Sequence, residues 1–329
     1  MDMRMIVNKL CKTVAILLML CMGMVAGAQE KETIVFSPQW TPQAQFAGYY
    51  VALVKGFYSE AGLDVRIDHP SASNSCINRL KSGESQIVSL QLMSAMRFVN
   101  QGLPLVNVLQ TSQQNTLMII SRTPIPNIYR LKDMRVGCWK SGFSELPMML
   151  DRIYKLNIQW VPFRSNINLF ISGAIDATMA MSYNEKVQLE MAGQRLNEDQ
   201  LLYFSKLGYN IPEDGLYTTE DYLSSHREQV YKFAEASKRG WRWCVDHPQE
   251  ALDIVMKVVR EHRVATSRVA QRKMLEEILR SQLTKDTNQR TFRLDPNDFQ
   301  FTNRFMLENG VIQNPVDFQK FVAESPSAK

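Results

Sequence analysis

The side chains best suited to bind a small molecule lie just past the first predicted strand. Trp40 has three glutamines as neighbours, Gln39, Gln43 and Gln45. An indole offers a flat face for stacking a heteroaromatic ring, and carboxamides present both donors and acceptors to ring nitrogens and amino groups. The competing interpretation is structural, with Trp40 packing against the aromatic residues that follow and holding the loop. The residue types predict a loop that binds a flat ligand with polar edges.

A second polar loop follows the third predicted strand, where Ser89 and Gln91 lie. The carboxyl ends of strands in open α/β sheets face the ligand crevice. We therefore expect both side chains to reach polar groups of a ligand. Ser94, a little further on, is equally well explained as the cap of the next helix.

A third loop, which begins at Trp139, combines small residues with a lysine. Lys140, Ser141 and Gly142 would suit a phosphate, sulfonate or carboxylate at the start of a helix. An ordinary capped turn explains the same residues, and no Gly-rich phosphate loop is present. The pattern favours the turn over an anion site, and it keeps Trp139, Ser141 and Gly142 as candidates for ligand contact.

The most specific polar candidate is Glu185, which follows a predicted strand ending at Met181. An ionised carboxylate inside a closed cleft would accept charge-assisted hydrogen bonds from an amino group and a ring nitrogen. Tyr183 and Asn184 are supporting candidates beside it. The alternative is a solvated glutamate at the start of a helix, which the helix dipole favours.

These loops require an alternating arrangement of strands and helices to position them. Apolar strands and amphipathic helices alternate along the chain without repeats or low-complexity linkers, which predicts an α/β fold of mostly parallel strands flanked by helices. A chain of about 300 residues commonly makes two lobes. The predicted strands are 33–37, 64–68, 86–90, 106–110, 116–121, 134–139, 159–162 and 177–181. The predicted helices are 48–60, 75–82, 93–100, 144–155 and 166–172, followed by a long helical region at 219–283.

Residues 1–28 have the pattern of a secretory signal. Three basic residues precede an apolar run at 14–25 and a small-residue ending, which predicts export and cleavage before Gln29. The run is shorter than the ~20 residues of a spanning helix, and this argues against a membrane anchor. Lipidation at Cys21 is a weaker alternative, because Leu20 stands where such signals carry a small residue.

Charge and cysteine usage exclude several other classes. The chain carries a net charge of +5, and loss of the leader lowers it to +3, a small excess that does not argue for nucleic-acid binding. Cys76, Cys138 and Cys244 form neither a disulfide framework nor a zinc pattern. We expect buried free thiols, with a single disulfide as the alternative.

A series of short motifs, taken in order, resembles the periplasmic solute-binding proteins that capture thiamine precursors. These are relatives of the sulfonate-binding proteins and of the fungal pyrimidine synthase. The resemblance covers nearly all of the chain after the leader, and the order and spacing of its motifs carry it. The motifs are Trp40-Thr41-Pro42, Lys55-Gly56-Phe57, Gly62-Leu63-Asp64-Val65, Ser82-Gly83, Gly102-Leu103-Pro104, the run 131–137, the run 173–177, Leu294-Asp295-Pro296 and Gly310-Val311-Ile312.

The resemblance implies a two-lobed periplasmic-binding-protein fold of type II, with a ligand cleft between the lobes. One lobe would comprise 32–113 plus 221–323 and the other 117–215, with hinge crossings near 113–117 and 215–221. Hinge closure around a ligand is the mechanism of the family. Bacterial members use a glutamate at the position of Glu185 to contact an aminopyrimidine. Asn210 and Tyr217 are expected at the hinge or cleft rim.

The resemblance also argues against an enzyme. The fungal synthases use a lysine that carries pyridoxal phosphate and a histidine four residues later. Alignment on Ser82-Gly83 puts these roles on Leu90 and Ser94, which can form no Schiff base and donate no imidazole. The cysteine-rich run of the synthases is also missing, and no zinc motif, nucleophile elbow or pair of catalytic carboxylates is present. We expect no cofactor.

The expected function is capture of a small heteroaromatic ligand, foremost a thiamine-precursor pyrimidine, for a membrane permease of an ABC importer. Differential affinity of the closed state for ligand would supply the switch. A sulfonate or another small anion is the alternative ligand. A sensor kinase is the alternative partner, since the same module could present its closed form to one.

Overall fold

A computed structural model of the chain describes residues 32–71, 73–140, 143–163 and 167–323. The predicted leader at 1–28, with Cys21, lies outside these ranges, as do Ser141 and Gly142. Within them, the strands are β1 Thr33–Ser37, β2 Asp64–Ile67, β3 Ile87–Leu90, β4 Leu105–Gln110, β5 Leu117–Ser121, β6 Arg135–Trp139, β7 Gln159–Phe163, β8 Ala177–Met181, β9 Leu201–Tyr203 and β10 Gly215–Thr219.

The strands form two five-stranded sheets, each of mixed direction. The first sheet has the order β2-β1-β3-β10-β4 and the second the order β7-β6-β8-β5-β9. In the first, β1 and β3 are parallel, whereas β10 runs antiparallel between β3 and β4. In the second, β6 is parallel to β7 and β8, whereas β5 is antiparallel to β8 and β9.

Helices flank these sheets. In chain order they are α1 Ala47–Val54, α2 Phe57–Glu60, α3 Cys76–Lys81, α4 Leu92–Asn100, α5 Glu145–Tyr154, α6 Asn168–Ile171, α7 Glu185–Met191, α8 Glu220–Ser225, α9 Arg227–Asp246, α10 Pro248–Glu261, α11 Arg268–Ser281, α12 Pro296–Glu308 and α13 Phe318–Phe321. In the part of the chain that the structure describes, no helix combines the length and the apolar character needed to cross a membrane.

The predicted α/β class is confirmed, and the eight predicted strands are present with ends shifted by at most one residue. Two strands were not predicted, β9 and β10. The sequence of β10, Gly-Leu-Tyr-Thr-Thr, has a single aliphatic residue, so it lacks the apolar run by which a buried strand is recognised. Tyr217 lies in this strand and is fully buried. Tyr217 therefore does not lie on a cleft rim, and a place at the hinge stays a prediction.

The predicted helix at 48–60 is broken into α1 and α2. Gly56 has a φ of 78°, a left-handed conformation that glycine adopts at low cost and that ends a helix. Cys76, Cys138 and Cys244 are free and buried, as expected for thiols that act as small apolar side chains.

Helix α1 packs against α9 at a distance that only glycine permits. A β-carbon on Gly240 would overlap the carbonyl oxygen of Gly48 and lie 2.9 Å from Cβ of Ala52. A β-carbon on Gly48 would in turn overlap the ring of Trp241. The two backbones are therefore held in direct contact, and α1 carries the chain directly out of the loop that contains Trp40.

We expect Gly240→Ala to lower the free energy of unfolding by about 1–3 kcal/mol or more, because the added methyl group has no space in this contact. Urea denaturation measures the effect. Lys232→Ala, on the exposed side of the same helix, removes only an exposed ion pair with Glu228 and should leave the stability almost unchanged, because such pairs are screened by solvent. Equal stability of Gly240→Ala and wild type would contradict the close packing.

Candidate ligand-binding site

A small cavity lies between loops that leave the two sheets. Its volume is about 20 Å³, which is room for about one water molecule. An aromatic ligand therefore enters only if the walls of the cavity move apart. The lining residues are Trp40, Gln43, Gln45, Trp139, Phe143, Met181, Tyr183, Asn184 and Glu185.

Three aromatic rings from both sides of the cavity meet at Phe143. Its ring centroid lies 5.5 Å from that of Trp40 and 6.0 Å from that of Trp139, and both contacts are edge-to-face. Trp40 lies in the loop that follows β1 of the first sheet, and Trp139 is the last residue of β6 in the second sheet. Sequence reasoning did not single out Phe143, although it stands in the same loop as Trp139 and offers the same flat ring.

Glu185 is buried at the first turn of α7, with only 1% of its surface exposed. Its Oε1 accepts hydrogen bonds from Trp139 Nε1 at 3.2 Å and from Asn184 Nδ2 at 2.9 Å. Its Oε2 accepts one from the backbone N–H of Met181 at 2.9 Å. Burial raises the pKa of Glu185 to about 7, although these hydrogen bonds act in the opposite direction. It begins a helix, as the alternative supposed, but it is not solvated.

The glutamines of the Trp40 loop form a connected chain. Gln43 Nε2 donates to Gln45 Oε1 at 2.6 Å. Gln45 Nε2 donates to both carboxylate oxygens of Asp214, at 2.9 and 3.0 Å. Gln39 Nε2 also donates to Asp214 Oδ1. Gln39 itself does not line the cavity, so its side chain supports the loop through Asp214.

Ser89 and Gln91 are not among the residues that line the cavity. Ser89 Oγ accepts a hydrogen bond from the backbone N–H of Gln39 at 2.9 Å, so this hydroxyl fixes the backbone of the Trp40 loop without lining the cavity. Gln91 immediately precedes α4. Ser94 Oγ donates to Glu145 Oε1 at 3.1 Å, and the helix cap proposed for it is not formed.

His69 fixes the backbone of the Trp40 loop. Its Nδ1 lies 2.7 Å from the carbonyl oxygen of Trp40, and its Nε2 lies 2.8 Å from the hydroxyl of Tyr50. A carbonyl only accepts, so Nδ1 carries the proton and Nε2 accepts from Tyr50. Burial lowers the pKa of His69 to about 4, so the ring is neutral at physiological pH. The sequence carries no signal for this role, since the four histidines of the chain have no regular spacing.

Two consecutive carboxylates, Glu213 and Asp214, are buried just before β10. Glu213 Oε1 accepts from the backbone N–H groups of Thr116 and Leu117, at 2.9 and 3.0 Å, and its Oε2 accepts from Thr116 Oγ1 at 2.6 Å. Burial raises the pKa of Glu213 to about 8 and that of Asp214 to about 6. The sequence signal that could have found them is two adjacent acids between Pro212 and Gly215.

The electrostatics of the site follow from these carboxylates. Neutral donors satisfy Glu185, Glu213 and Asp214, and none of the described residues lining the cavity is a lysine or an arginine. Lys140, the cation suggested for an anion site, is exposed. Of the three acids only Glu185 lines the cavity, so the acceptor character of the polar wall comes from its carboxylate and suits a ligand that donates.

The family profile described as NMT1/THI5 like matches residues 43–251, which is more than half of the chain. The chain belongs to the NMT1/THI5-like family. The matched range contains Glu185, Glu213, Asp214 and all of the residues that line the cavity except Trp40.

Curated relatives of this NMT1/THI5-like chain include binding proteins and a synthase. It is 24% identical to the riboflavin-binding protein RibY of Chloroflexus aurantiacus, over 88% of this chain and 84% of the relative. It is 25% identical to a formylaminopyrimidine-binding protein of Halalkalibacterium halodurans, over 68% and 70%. The 4-amino-5-hydroxymethyl-2-methylpyrimidine phosphate synthase of Candida albicans is 23% identical, over 66% and 69%.

Solved structures show the same fold. The periplasmic aliphatic sulphonate binding protein SsuA from Escherichia coli superposes with a TM-score of 0.64 and 13% identity, over 89% of this chain and 92% of SsuA. The NMT1/THI5-like chain therefore has the two-lobed periplasmic-binding-protein fold that its motifs predicted.

We expect the buried glutamate to make the protein less stable as pH rises. Folding raises the pKa of Glu185 from 4.5 to about 7, so between these values the folded protein holds a proton that the unfolded chain has released. The contribution of Glu185 to the free energy of unfolding therefore falls as pH rises through this range and levels off above it. Glu185→Gln should remove part of the fall, and urea denaturation at pH about 5 and about 8 measures it.

The matched control for this prediction is Glu228→Gln. Glu228 is an exposed glutamate, and Lys232 lowers its pKa. With Glu228→Gln, the free energy of unfolding should fall between the two pH values as much as it does in wild type. An identical loss of stability in wild type and Glu185→Gln would show that Glu185 does not titrate in this range.

Proposed function

We propose that the protein is the extracytoplasmic solute-binding component of an ABC importer, and that it captures a small heteroaromatic ligand, foremost a thiamine-precursor pyrimidine. The observation that carries the proposal is the buried carboxylate of Glu185 beside the rings of Trp40, Trp139 and Phe143. A flat ring stacks on aromatic faces. An amino group on that ring donates charge-assisted hydrogen bonds to a carboxylate.

The acceptor-rich wall supports an amino-bearing ring over an anion. A sulfonate carries a negative charge and only accepts hydrogen bonds, so it would face Glu185 without a compensating cation among the described lining residues. The described part of the cavity thus favours the pyrimidine over the sulfonate alternative. Two relatives point the same way, because the rings of riboflavin and formylaminopyrimidine are both flat and nitrogen-rich.

We further propose that the two sheets belong to lobes that move as rigid bodies about a hinge. The first lobe comprises 32–113 plus 215–323 and the second comprises 117–212, with the first crossing near 113–117. Because β10 already pairs with β3 and β4, we place the second crossing at Glu213 and Asp214, before Gly215, and not at 215–221. Glu213 ties the two crossings together through Thr116.

Asn210 supports this position for the hinge. Its Oδ1 accepts from the backbone N–H of Asn115 at 2.9 Å, and its Nδ2 donates to the carbonyl oxygen of Gln113 at 3.0 Å. The same Nδ2 lies 3.3 Å from Asp298 Oδ2 in α12. One side chain thus joins both crossings to a helix of the first lobe.

Three side-chain contacts, two of them to Glu145, bridge the proposed lobes. Glu145 in α5 accepts from Ser94 Oγ and pairs with Arg97 at 3.3 Å, both in α4. Lys273 in α11 pairs with Glu190 in α7 at 2.8 Å. These contacts form only while the lobes are close together, so they add to the stability of the closed arrangement.

A binding role rather than catalysis is part of the proposal. Of the two positions aligned with the catalytic residues of the fungal synthases, Leu90 is a buried residue at the end of β3. The other, Ser94, donates to Glu145. Neither side chain supplies the Schiff base or imidazole of that chemistry. The expected compartment is the periplasm, and the expected partner is a membrane permease.

Calorimetry with the chain from Gln29 onward tests the ligand. We expect 4-amino-5-hydroxymethyl-2-methylpyrimidine to bind with a Kd of about 1 μM or tighter, near −8 kcal/mol. Trp40→Ala and Glu185→Ala should each weaken binding at least about tenfold through lost stacking and lost charge-assisted hydrogen bonds. Trp160→Phe, whose indole contacts Asp151 away from the cavity, is the matched control and should bind normally.

Riboflavin and an alkanesulfonate complete the calorimetric experiment. Tight binding of the sulfonate with no binding of either ring compound would reject the heteroaromatic assignment. Binding of riboflavin alone would support a heteroaromatic ligand and reject the pyrimidine as that ligand. In either case the same Trp40→Ala and Glu185→Ala variants show whether this cavity is the site.

The bridging contact of Lys273 allows a test of hinge closure. Lys273→Gln removes an ion pair between the proposed lobes, whereas Lys186→Gln removes an ion pair of the same Glu190 within α7. We expect only Lys273→Gln to increase the radius of gyration of the ligand-free protein in small-angle X-ray scattering. Ligand should restore the compact form, with an affinity about fivefold lower, the size of one partly exposed pair. Identical scattering of the two variants would contradict a role in closure.

A further inference from the structure

Asp214 stands at the origin of a directed hydrogen-bond chain that ends at the cavity wall. Gln45 Nε2 donates to Asp214, and Gln43 Nε2 donates to Gln45 Oε1. Asp214, Gln45 and Gln43 are all at least nine-tenths buried, with 8%, 4% and 6% of their surfaces exposed. Asp214 itself is not among the residues that line the cavity.

The direction of this chain follows from chemistry rather than from the shape of the amides. A carboxamide can turn by half a rotation and occupy the same space, so shape does not decide which end carries the oxygen. An ionised carboxylate, however, only accepts, and Gln45 must therefore turn its NH₂ group towards Asp214. The oxygen of Gln45 is then left for Gln43, which must turn its own NH₂ group towards Gln45.

The side-chain oxygen Oε1 of Gln43 is the end of this series of hydrogen bonds. It has no hydrogen-bond partner among the described residues, and Gln43 lines the cavity. With Asp214 ionised, the wall at this point presents an acceptor. If Asp214 is protonated, its O–H can donate to Gln45, and both amide groups can then be reversed with the same contacts kept.

Asp214 is rigidly placed for this role. Its backbone N–H donates to Ser112 Oγ at 2.9 Å, and its carbonyl oxygen accepts from the backbone N–H of Thr111 at 2.9 Å and from Gln110 Nε2 at 3.1 Å. The titratable groups that face it are Glu213, Tyr49, Tyr183 and Tyr217. Burial raises its pKa to about 6, so the carboxylate is ionised at neutral pH and above.

We propose that Asp214 is a specificity-determining residue that acts through Gln45 and Gln43, selecting ligands that present an amino or N–H donor to Gln43 over oxo analogues of the same shape. The inference rests on the proposed function, since it assumes that a heteroaromatic ring occupies this cavity. Asp214 touches no ligand in this scheme. It is a positioning residue, whose effect is on the ratio of two affinities.

The test compares two rings that differ at one position, 4-amino-5-hydroxymethyl-2-methylpyrimidine and its 4-oxo analogue. Affinities are measured by calorimetry at pH about 8, where Asp214 is ionised. We expect wild type to prefer the amino compound by about 10–100-fold, the cost of facing two acceptors together in a buried site. Asp214→Asn, which can present either end to Gln45, should reduce this preference about tenfold.

Two further variants make the comparison specific. Glu213→Gln changes the charge of the neighbouring buried acid, whose partners are Thr116 and Leu117, and should leave the preference unchanged. Gln45→Met removes the side-chain hydrogen bonds that link Asp214 to Gln43, while Asp214 keeps its backbone hydrogen bonds to the Gln110–Ser112 segment. It should reduce the preference as Asp214→Asn does, and it replaces that variant if Asp214→Asn does not fold.

The outcomes separate the inference from the proposed function. An unchanged amino-to-oxo ratio in Asp214→Asn, or an equal loss of both ligands, would overturn the inference and leave pyrimidine binding intact. If wild type binds neither compound, the proposed pyrimidine ligand fails, and side-chain amide NMR of the ligand-free protein decides the inference. Asp214→Asn should then shift the amide signals of Gln45 and also of Gln43, and an unmoved Gln43 signal would reject the chain.

Discussion

The burial of three carboxylates without a cation is the constraint on which the site depends. Glu185, Glu213 and Asp214 are each satisfied by amide, indole, hydroxyl or backbone donors, and no lysine or arginine among the described residues binds them. A buried charge is tolerated only when it is well hydrogen-bonded. The surrounding polar groups are therefore held in fixed orientations, and the remaining polar edge of the cavity has the character of an acceptor.

The same constraint links the cavity to the crossings between the two sheets. Glu213 binds the start of β5, and Asp214 binds the glutamines of the Trp40 loop. The two acids are consecutive, so a displacement of one crossing carries the other with it. Any rearrangement that opens the cavity must preserve these hydrogen bonds or replace them with water, since leaving them unmade costs about 1–3 kcal/mol for each buried group.

The cavity as it stands is too small for a ring, and the aromatic side chains account for this. Phe143 contacts both Trp40 and Trp139, so these apolar faces are covered by one another when no ligand lies between them. We expect the preference for a particular ligand to come from the polar edge, where the ionised Asp214 sets the direction of the hydrogen bonds through Gln45 and Gln43.

The sequence alone determined the α/β class, eight of the ten described strands and the family resemblance, and it named Trp40, Trp139 and Glu185, which the structure brings together at one cavity. These signals are local, because apolar runs, turn residues and side-chain chemistry can be read in short windows. Only the tertiary structure decided that β10 completes the first sheet, that His69 holds the Trp40 loop, and that Asp214 orients Gln43. The partners in these contacts are separated by 29 or more residues, and pairing over such distances depends on how the sheets bring the segments together rather than on any pattern within one segment.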